Sequence, residues 1–298
     1  MAHGTRINGA AYGVTGGKCL VGGTAYSIKK GRTLIGGTGY DINLNSYDPV
    51  LNNNTWEQIA EAAQNGLAES VWNVGDTKEI TISGSIPTGK TSWGQPQTID
   101  ISGTYLCYIL GFNHNADLEG ANRIHFQLAR STAGKELCFY ASVMSNEFGT
   151  AGGWESSLLR NEILGTSLTN NSGTFLGALP ADLRAVMRTA QKYSDNGSGN
   201  YGSVSATTDY LWIPAEKEVF GTVTEGTSGQ GEYQAQYAYY AAGGSTIRYG
   251  HNDTRDRERE WWLRSRADAV SFCYVDDAGN VANEVSSETF GLAPVFCV

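Results

Sequence analysis

The chain reads as an α+β protein, and three observations carry that reading. Gly fills 38 of its 298 positions, Tyr 16 and Trp 7, against 6 Pro, a bias toward tight turns and aromatic-rich strands. Two stretches with helical spacing stand among many short alternating runs, which suits α+β better than a sandwich or a doubly wound sheet. A short repeat at the amino terminus also sets a small β module ahead of a larger domain.

The repeat comes first and has a 14-residue period: Gly9, Gly23 and Gly37 each precede, by three positions, one of Tyr12, Tyr26 and Tyr40. Leu20-Val21-Gly22-Gly23-Thr24 is echoed by Leu34-Ile35-Gly36-Gly37-Thr38. Gly provides the positive φ of hairpin turns, and the apolar alternation of Tyr26 with Ile28 and of Tyr40 with Ile42 provides strand faces. A ribbon this short has too little apolar area to fold alone. Residues 1–44 are therefore expected to anchor and oligomerise the protein, with a trimer as the expected state. An edge meander of the main domain is the alternative.

In the main domain, residues 45–298, Thr55 and Gln58 form a capping box. Trp56, Ile59, Ala60, Ala63 and Leu67 share one stripe, which predicts a helix to about Trp72. Alternation predicts strands over Lys78 to Ile82, Thr98 to Ile101 and Tyr105 to Phe112. Leu179-Pro180-Ala181-Asp182 announces a second helix carrying Leu183, Val186, Met187 and Ala190, with Arg188 and Lys192 in its last turn. Asp195 to Thr208 reads as loop, and Tyr210 to Pro214 as a short buried strand.

Charge and cysteine usage bound the function. A net charge of −9 argues against general affinity for nucleic acid or anionic membrane, since both need a basic footprint. No apolar run approaches the roughly 18–20 residues of a membrane span, and Met1 to Gly17 lacks the pattern of a secretion signal. Folding in a cytoplasm without membrane insertion is expected. Cys19, Cys107, Cys138, Cys273 and Cys297 are odd in number and show no C-x-x-C spacing, so reduced, buried thiols are expected.

The order Gly111-Phe112-Asn113-His114, Gly152-Gly153-Trp154 with Ser157 and Arg160, Leu179 to Leu183, Pro214 to Gly221, Tyr237-Ala238-Tyr239-Tyr240 and Trp261-Trp262-Leu263-Arg264-Ser265 resembles a DUF6273-type domain. The resemblance covers roughly residues 55–298, and its most specific part runs from Trp261 to the terminal Phe296-Cys297-Val298. Such domains are similar to the C-type lectin fold of formylglycine-generating enzymes and of the variable proteins of diversity-generating retroelements. The resemblance implies a C-type-lectin-like, ligand-binding domain with a display region, open to diversification, at residues 261–298. It implies a receptor-binding adhesin of a phage tail or bacterial surface, not an enzyme, and no cofactor. The repeat is similar to modules placed ahead of such domains in phage tail-associated proteins. A structural tail protein without its own ligand is one alternative, and a copper-dependent oxidase of the formylglycine-generating type is the other.

Independently of the family, residues 266–290 follow no packing period and mix Tyr and Phe with Ser, Asn and Asp, as antibody paratopes do. Arg266, Asp268, Val270, Ser271, Phe272, Tyr274, Asp276, Asp277, Asn280, Asn283 and Ser286 are the candidate contacts for a host-surface protein or glycan. A solvated hairpin turning at Asp277-Ala278-Gly279-Asn280 would share that composition. Glu284 and Glu288 do not arise from an Asn codon by adenine substitution, so they are either fixed or come from another template codon. Arg248 to Glu260 interleaves both charges and reads as a self-paired loop, whose Tyr249, His251 and Arg255 could form a rim to the binding face. Trp261, Trp262, Leu263 and Arg264 read as scaffold, with Arg264 bonded to Glu216 or Glu218. Asn113, His114 and Asp117 read as hydrogen-bonding residues, and no metal site is expected. Cys273 and Cys297 carry no motif that would support a copper oxidase.

Overall fold

The computed structural model describes residues 4–7, 10–13, 17–21, 24–28, 30–35, 38–43, 47–146, 149–197 and 202–298, and divides the chain into two compact units, Met1–Pro49 and Val50–Val298. In the first unit three antiparallel hairpins follow one another: β1 (Gly4–Ile7) with β2 (Ala10–Gly13), β3 (Gly17–Val21) with β4 (Thr24–Ile28), and β5 (Lys30–Ile35) with β6 (Thr38–Asn43). The last pairs of the three hairpins are Ile7 with Ala10, Val21 with Thr24 and Ile35 with Thr38. These pairs recur every 14 residues, at Ile7, Val21 and Ile35, so the period read in the sequence is the period of the hairpins. The side chains of the repeat lie outside the described residues.

The second unit is mixed α+β and sheet-rich, with a curled half-barrel sheet. Its first helix, α1 (Trp56–Gln64), opens on the Thr55/Gln58 capping box and buries Trp56, Ile59, Ala60, Ala62 and Ala63. Trp56 meets Phe126 and Phe296 edge-on at centroid distances of 5.5 and 5.8 Å. The helix does not run on to Trp72. Gly66, at φ +68°, turns the chain, and a separate single turn, α2 (Ala68–Val71), follows.

Among the described residues, fifteen strands build the unit. A five-stranded sheet has the order β15 (Leu211–Trp212), β21 (Val295–Cys297), β11 (Ile124–Arg130), β10 (Gly103–Phe112), β7 (Thr77–Ile82). A six-stranded sheet has the order β16 (Tyr249–Gly250), β12 (Leu137–Ser142), β20 (Phe290–Leu292), β17 (Trp261–Arg266), β18 (Ser271–Val275), β19 (Val281–Val285). Strands β8 (Ser85–Ser92) and β9 (Gln95–Asp100) make one hairpin, and β13 (Ala190–Asp195) and β14 (Val204–Asp209) another. The carboxy-terminal run enters both large sheets, β20 between β12 and β17 and β21 between β11 and β15, and Gly291 to Val298 is wholly buried.

The second predicted helix is corrected. After α3 (Ala116–Glu119), α4 (Gly153–Ser156) and α5 (Phe175–Ala178), helix α6 spans only Ala181–Arg184, and Ala190–Asp195 is a strand paired along its length with Val204–Asp209. The predicted loop Asp195 to Thr208 contains that partner strand. The reason lies in the inward face of β13: Ala190, Lys192 and Ser194 are buried while Gln191 is exposed, so the alternation has a period of two but is carried by polar residues. Two further short helices, α7 (Glu216–Phe220) and α8 (Ala238–Ala241), follow.

Trp56→Ala should cost about 3–5 kcal/mol, the range for emptying a large aromatic site whose neighbours cannot collapse. Urea unfolding followed by circular dichroism measures this. A loss below about 1 kcal/mol would show that α1 is not packed as described.

Candidate functional site

A buried charge network lies where α3, β11, β13, α7 and β17 converge. Lys192 on β13 donates to Glu119 Oε2 at 2.6 Å, to Glu218 Oε1 at 3.0 Å and to the Tyr237 hydroxyl at 3.3 Å. Arg264 on β17 donates to Glu218 Oε2 and, at 3.0 Å, to the Ile213 carbonyl. Glu218 Oε2 also accepts from the Ala215 amide at 2.8 Å, a link that fixes the start of α7. Two carboxylates thus face two fixed cations, and the cluster is neutral in sum. Burial alone would raise the Glu218 carboxyl, but Arg264 and Lys192 hold it well below the ordinary carboxylate range. Burial and Lys192 push His125 well below the usual imidazole range, so it is neutral.

His114 joins this network and not Asp117, which is exposed on the same segment. Its ring stacks on Tyr237 at 3.8 Å, and its Nε2 points between Glu119 and Glu218. Asn113 donates to Glu69 at the surface. Glu119, His125 and Lys192 were absent from the sequence-based candidates.

The carboxy-terminal hairpin β18–β19 contains most of the predicted contacts, and the structure corrects four of them. Arg266, Ser271, Phe272 and Ser286 are buried and cannot meet a ligand. Arg266 donates to Thr150 Oγ1 at 2.7 Å and to the Gly197 carbonyl at 2.8 Å, tying distant loops to β17. Phe272 faces inward because Trp262 pairs with Tyr274 in the adjacent register and sets the sheet face on which Phe272 also stands. Ser286 is held by the Val270 carbonyl and donates to Gly149. Two other residues shape turns: Asp268 Oδ1 accepts from the Val270 and Ser271 amides at 2.8 and 2.7 Å, and Asp276 Oδ1 accepts from Asn280 at 2.7 Å. Asp277, Asn280 and Asn283 are exposed, while Val270 and Tyr274 are half-buried, Tyr274 stacking on Phe290 at 4.4 Å. Trp261, Trp262, Leu263 and Arg264 are all buried.

The rim residues Tyr249, His251 and Arg255 belong to the charged loop ahead of β17. They lie on or just after β16, and the residues leading into that strand reach the hairpin turn, where the Thr246 hydroxyl donates to the Gly279 carbonyl at 2.8 Å. The charged loop encloses a cavity of about 350 Å³ walled by Tyr140, His251, Asn252, Asp253, Arg255 and Arg259. Asp253 is its pivot: Oδ1 accepts from the Arg255 amide at 2.9 Å, and Oδ2 accepts from Arg257 Nε at 3.3 Å and from Arg259. Arg259 lies 4.5 Å over the Tyr140 ring. His251 Nε2 donates to the Asp100 carbonyl at 3.0 Å, which joins the loop to the β8–β9 hairpin. The Arg255 side chain is 71% exposed at the mouth; its Nε lies 3.8 Å from Asp253 Oδ1, its backbone amide is fixed by the same carboxylate, and most of its guanidinium surface meets solvent.

The cysteines are not arranged as a metal pair. Cys273 donates to Glu216 Oε2 in one sheet and Cys297 to the Arg188 carbonyl in the other, and burial raises both thiols, Cys297 to about 11.

Fold and site together define an α+β domain with a rigid carboxy-terminal sheet system, a neutral buried ion network and a polar surface cavity. Residues 137–298 match DUF6273, described as a domain of unknown function, and the chain belongs to that family. The match begins at β12 and so includes both the hairpin and the cavity loop. No curated protein and no solved structure matches the chain.

Arg264→Ala strands a buried carboxylate and should cost about 3–5 kcal/mol in chemical denaturation. A loss under about 1 kcal/mol would show that Glu218 does not need it. The Asp253 carboxyl is drawn down to about 2, first by the Arg255 amide and then by Arg259 and Arg257, from an ordinary 3.8. Its folded value is the lower one, so the clamp stabilises fully above about pH 4 and is lost as pH falls through about 2. Asp253→Asn should flatten the stability profile between those two pH values, and an unchanged slope would exclude the clamp.

Proposed function

We propose that the protein is a ligand-binding adhesin of a phage tail or bacterial surface, with a C-type-lectin-like body, whose principal site is the cavity beside β16. The observation that carries this reading is the organisation of Arg255, Arg257 and Arg259 around the single carboxylate of Asp253. That carboxylate is fully engaged, while the Arg255 guanidinium remains directed to solvent beside Tyr140, Asn252 and Thr254. A guanidinium next to an aromatic face and amide and hydroxyl groups suits an acidic sugar, which offers a carboxylate or sulfate together with hydroxyls and an apolar ring face. The ligand class is therefore an acidic glycan of a host surface.

The hairpin supplies a second contact surface, restricted to Asp277, Asn280, Asn283 and the outer parts of Asp268, Val270, Tyr274 and Asp276. Diversification by a retroelement would be confined to these positions, since Arg266, Ser271, Phe272 and Ser286 hold the sheet. The amino-terminal hairpins serve as an anchoring and trimerising module, which turns weak single contacts into avidity.

Binding of the full chain to arrayed carboxylated and sulfated oligosaccharides tests the reading. Arg255→Glu should lower affinity at least tenfold with no change in thermal stability. Undiminished binding, or loss confined to a variant in which Asp277, Asn280 and Asn283 are replaced by Ala, would move the site to the hairpin. No binding to any arrayed glycan by the wild type would favour a structural tail protein.

A further inference from the structure

The buried network leaves two imidazole nitrogens without hydrogen-bond partners, His114 Nε2 and His125 Nε2, in residues only 6% and 0% exposed. His114 Nε2 lies 3.8 Å from Glu119 Oε1 and 3.7 Å from Glu218 Oε1, and His125 Nε2 lies 3.9 Å from Glu119 Oε2. These separations are too long for hydrogen bonds, and a buried polar atom left unpaired costs about 1–3 kcal/mol.

The surrounding residues orient the two carboxylates toward His114. Lys192 holds Glu119 by Oε2, and Arg264 with the Ala215 amide holds Glu218 by Oε2, which turns both Oε1 atoms toward the imidazole. Metal-binding carboxylates are held in this way, by hydrogen bonds to the oxygen that does not ligate. One ligand atom from each of His114, Glu119 and Glu218 lies within 4.8 Å of the other two. With two edges of 3.7 and 3.8 Å, a point common to all three sits about 2.2–2.4 Å from each, against about 2.0–2.2 Å for zinc bonded to imidazole or carboxylate.

We propose that His114, Glu119 and Glu218 bind a divalent transition-metal ion of zinc size, with the His125 ring beside it. Lys192 also donates to Glu218 Oε1, so loading the ion displaces that one hydrogen bond and leaves Lys192 on Glu119 Oε2. The bound ion ties α3, α7 and the segment before α3 into one unit, independently of any ligand at the surface cavity.

Co²⁺ titrated into the chelator-stripped full chain should produce a visible d–d absorption that saturates at one ion per chain. Zn²⁺, unlike Mg²⁺, should raise the melting temperature. Losing an orienting partner alone typically lowers metal affinity 10–100-fold, so His114→Ala should weaken Co²⁺ binding by more than about 100-fold. Asp117→Ala, on the same segment but exposed, should bind as the wild type does. Where His114→Ala does not fold, Glu119→Gln keeps the side-chain size and should show the same loss. A wild-type chain with neither the absorption nor the Zn²⁺ shift overturns the proposal. So does a folded His114→Ala variant that binds equally well. Either result would make Lys192 the cation of the network and water the bridge between His114 and the carboxylates.

Discussion

The placement of Glu218 is the constraint on which the rest of the second unit depends. A carboxylate removed from water is tolerated only when its oxygens are saturated, and here they receive Lys192, Arg264 and the Ala215 amide. Each donor comes from a different part of the chain: β13, β17 and the approach to α7. Satisfying one side chain therefore fixes the relative positions of three segments. Tyr237 extends the same linkage, because its hydroxyl accepts from Lys192 and from the Trp212 indole N–H at 3.3 Å each. Replacing such a network by apolar side chains of equal volume can be neutral in stability. What apolar packing would not reproduce is its directionality, since every bond in it specifies an atom and an angle.

The carboxy-terminal run is the second organising element, and it limits how free the hairpin ahead of it can be. Strand β20 lies between β12 and β17, and β21 lies between β11 and β15, so this run joins both large sheets. Strand β18 is then fixed from one side by β17 and can present outward only what its pleat allows. Alternation explains why Phe272 and Tyr274 share a face with Trp262, and why the polar residues that do reach solvent collect at the Asp276–Asn280 turn and on edge strand β19.

Local signals were legible in the sequence, and inward polarity was not. The first helix could be placed because a capping box and an apolar stripe are both encoded within a dozen residues, and only its end was misjudged, at Gly66. The hairpin period could be read from Gly spacing alone. The strand Ala190–Asp195 could not, since a buried lysine looks like a solvated one until Glu119 and Glu218 are known to meet it from elsewhere in the chain. Phe272 is hidden for a related reason: its cross-strand partner is Arg266, itself buried, and nothing in the local sequence marks which positions face the sheet interior. The loop from Arg248 to Glu260 was read as self-paired, and Asp253 does engage three of its arginines. Its closure into a cavity depends on Tyr140 and Asp100, more than a hundred residues earlier, and no local pattern announces that.

The cavity loop owes its shape to anchors at both ends. The His251 amide bonds the Cys138 carbonyl, the Arg259 amide bonds the Arg248 carbonyl, and the Gly291 amide bonds the Glu260 carbonyl, so the segment is stitched to β12, to itself and to β20. Between these anchors the Asp253 carboxylate gathers the arginines before any ligand arrives. Ordering a long side chain on binding costs about 0.5–1.5 kcal/mol each, so a guanidinium group already placed loses less on association than one drawn from a mobile loop. The protein's net charge of −9 would repel an acidic ligand over most of its surface. At physiological ionic strength that repulsion is screened beyond about 8 Å, so the local arrangement at Arg255, and not the overall charge, governs an anion that has reached the cavity mouth.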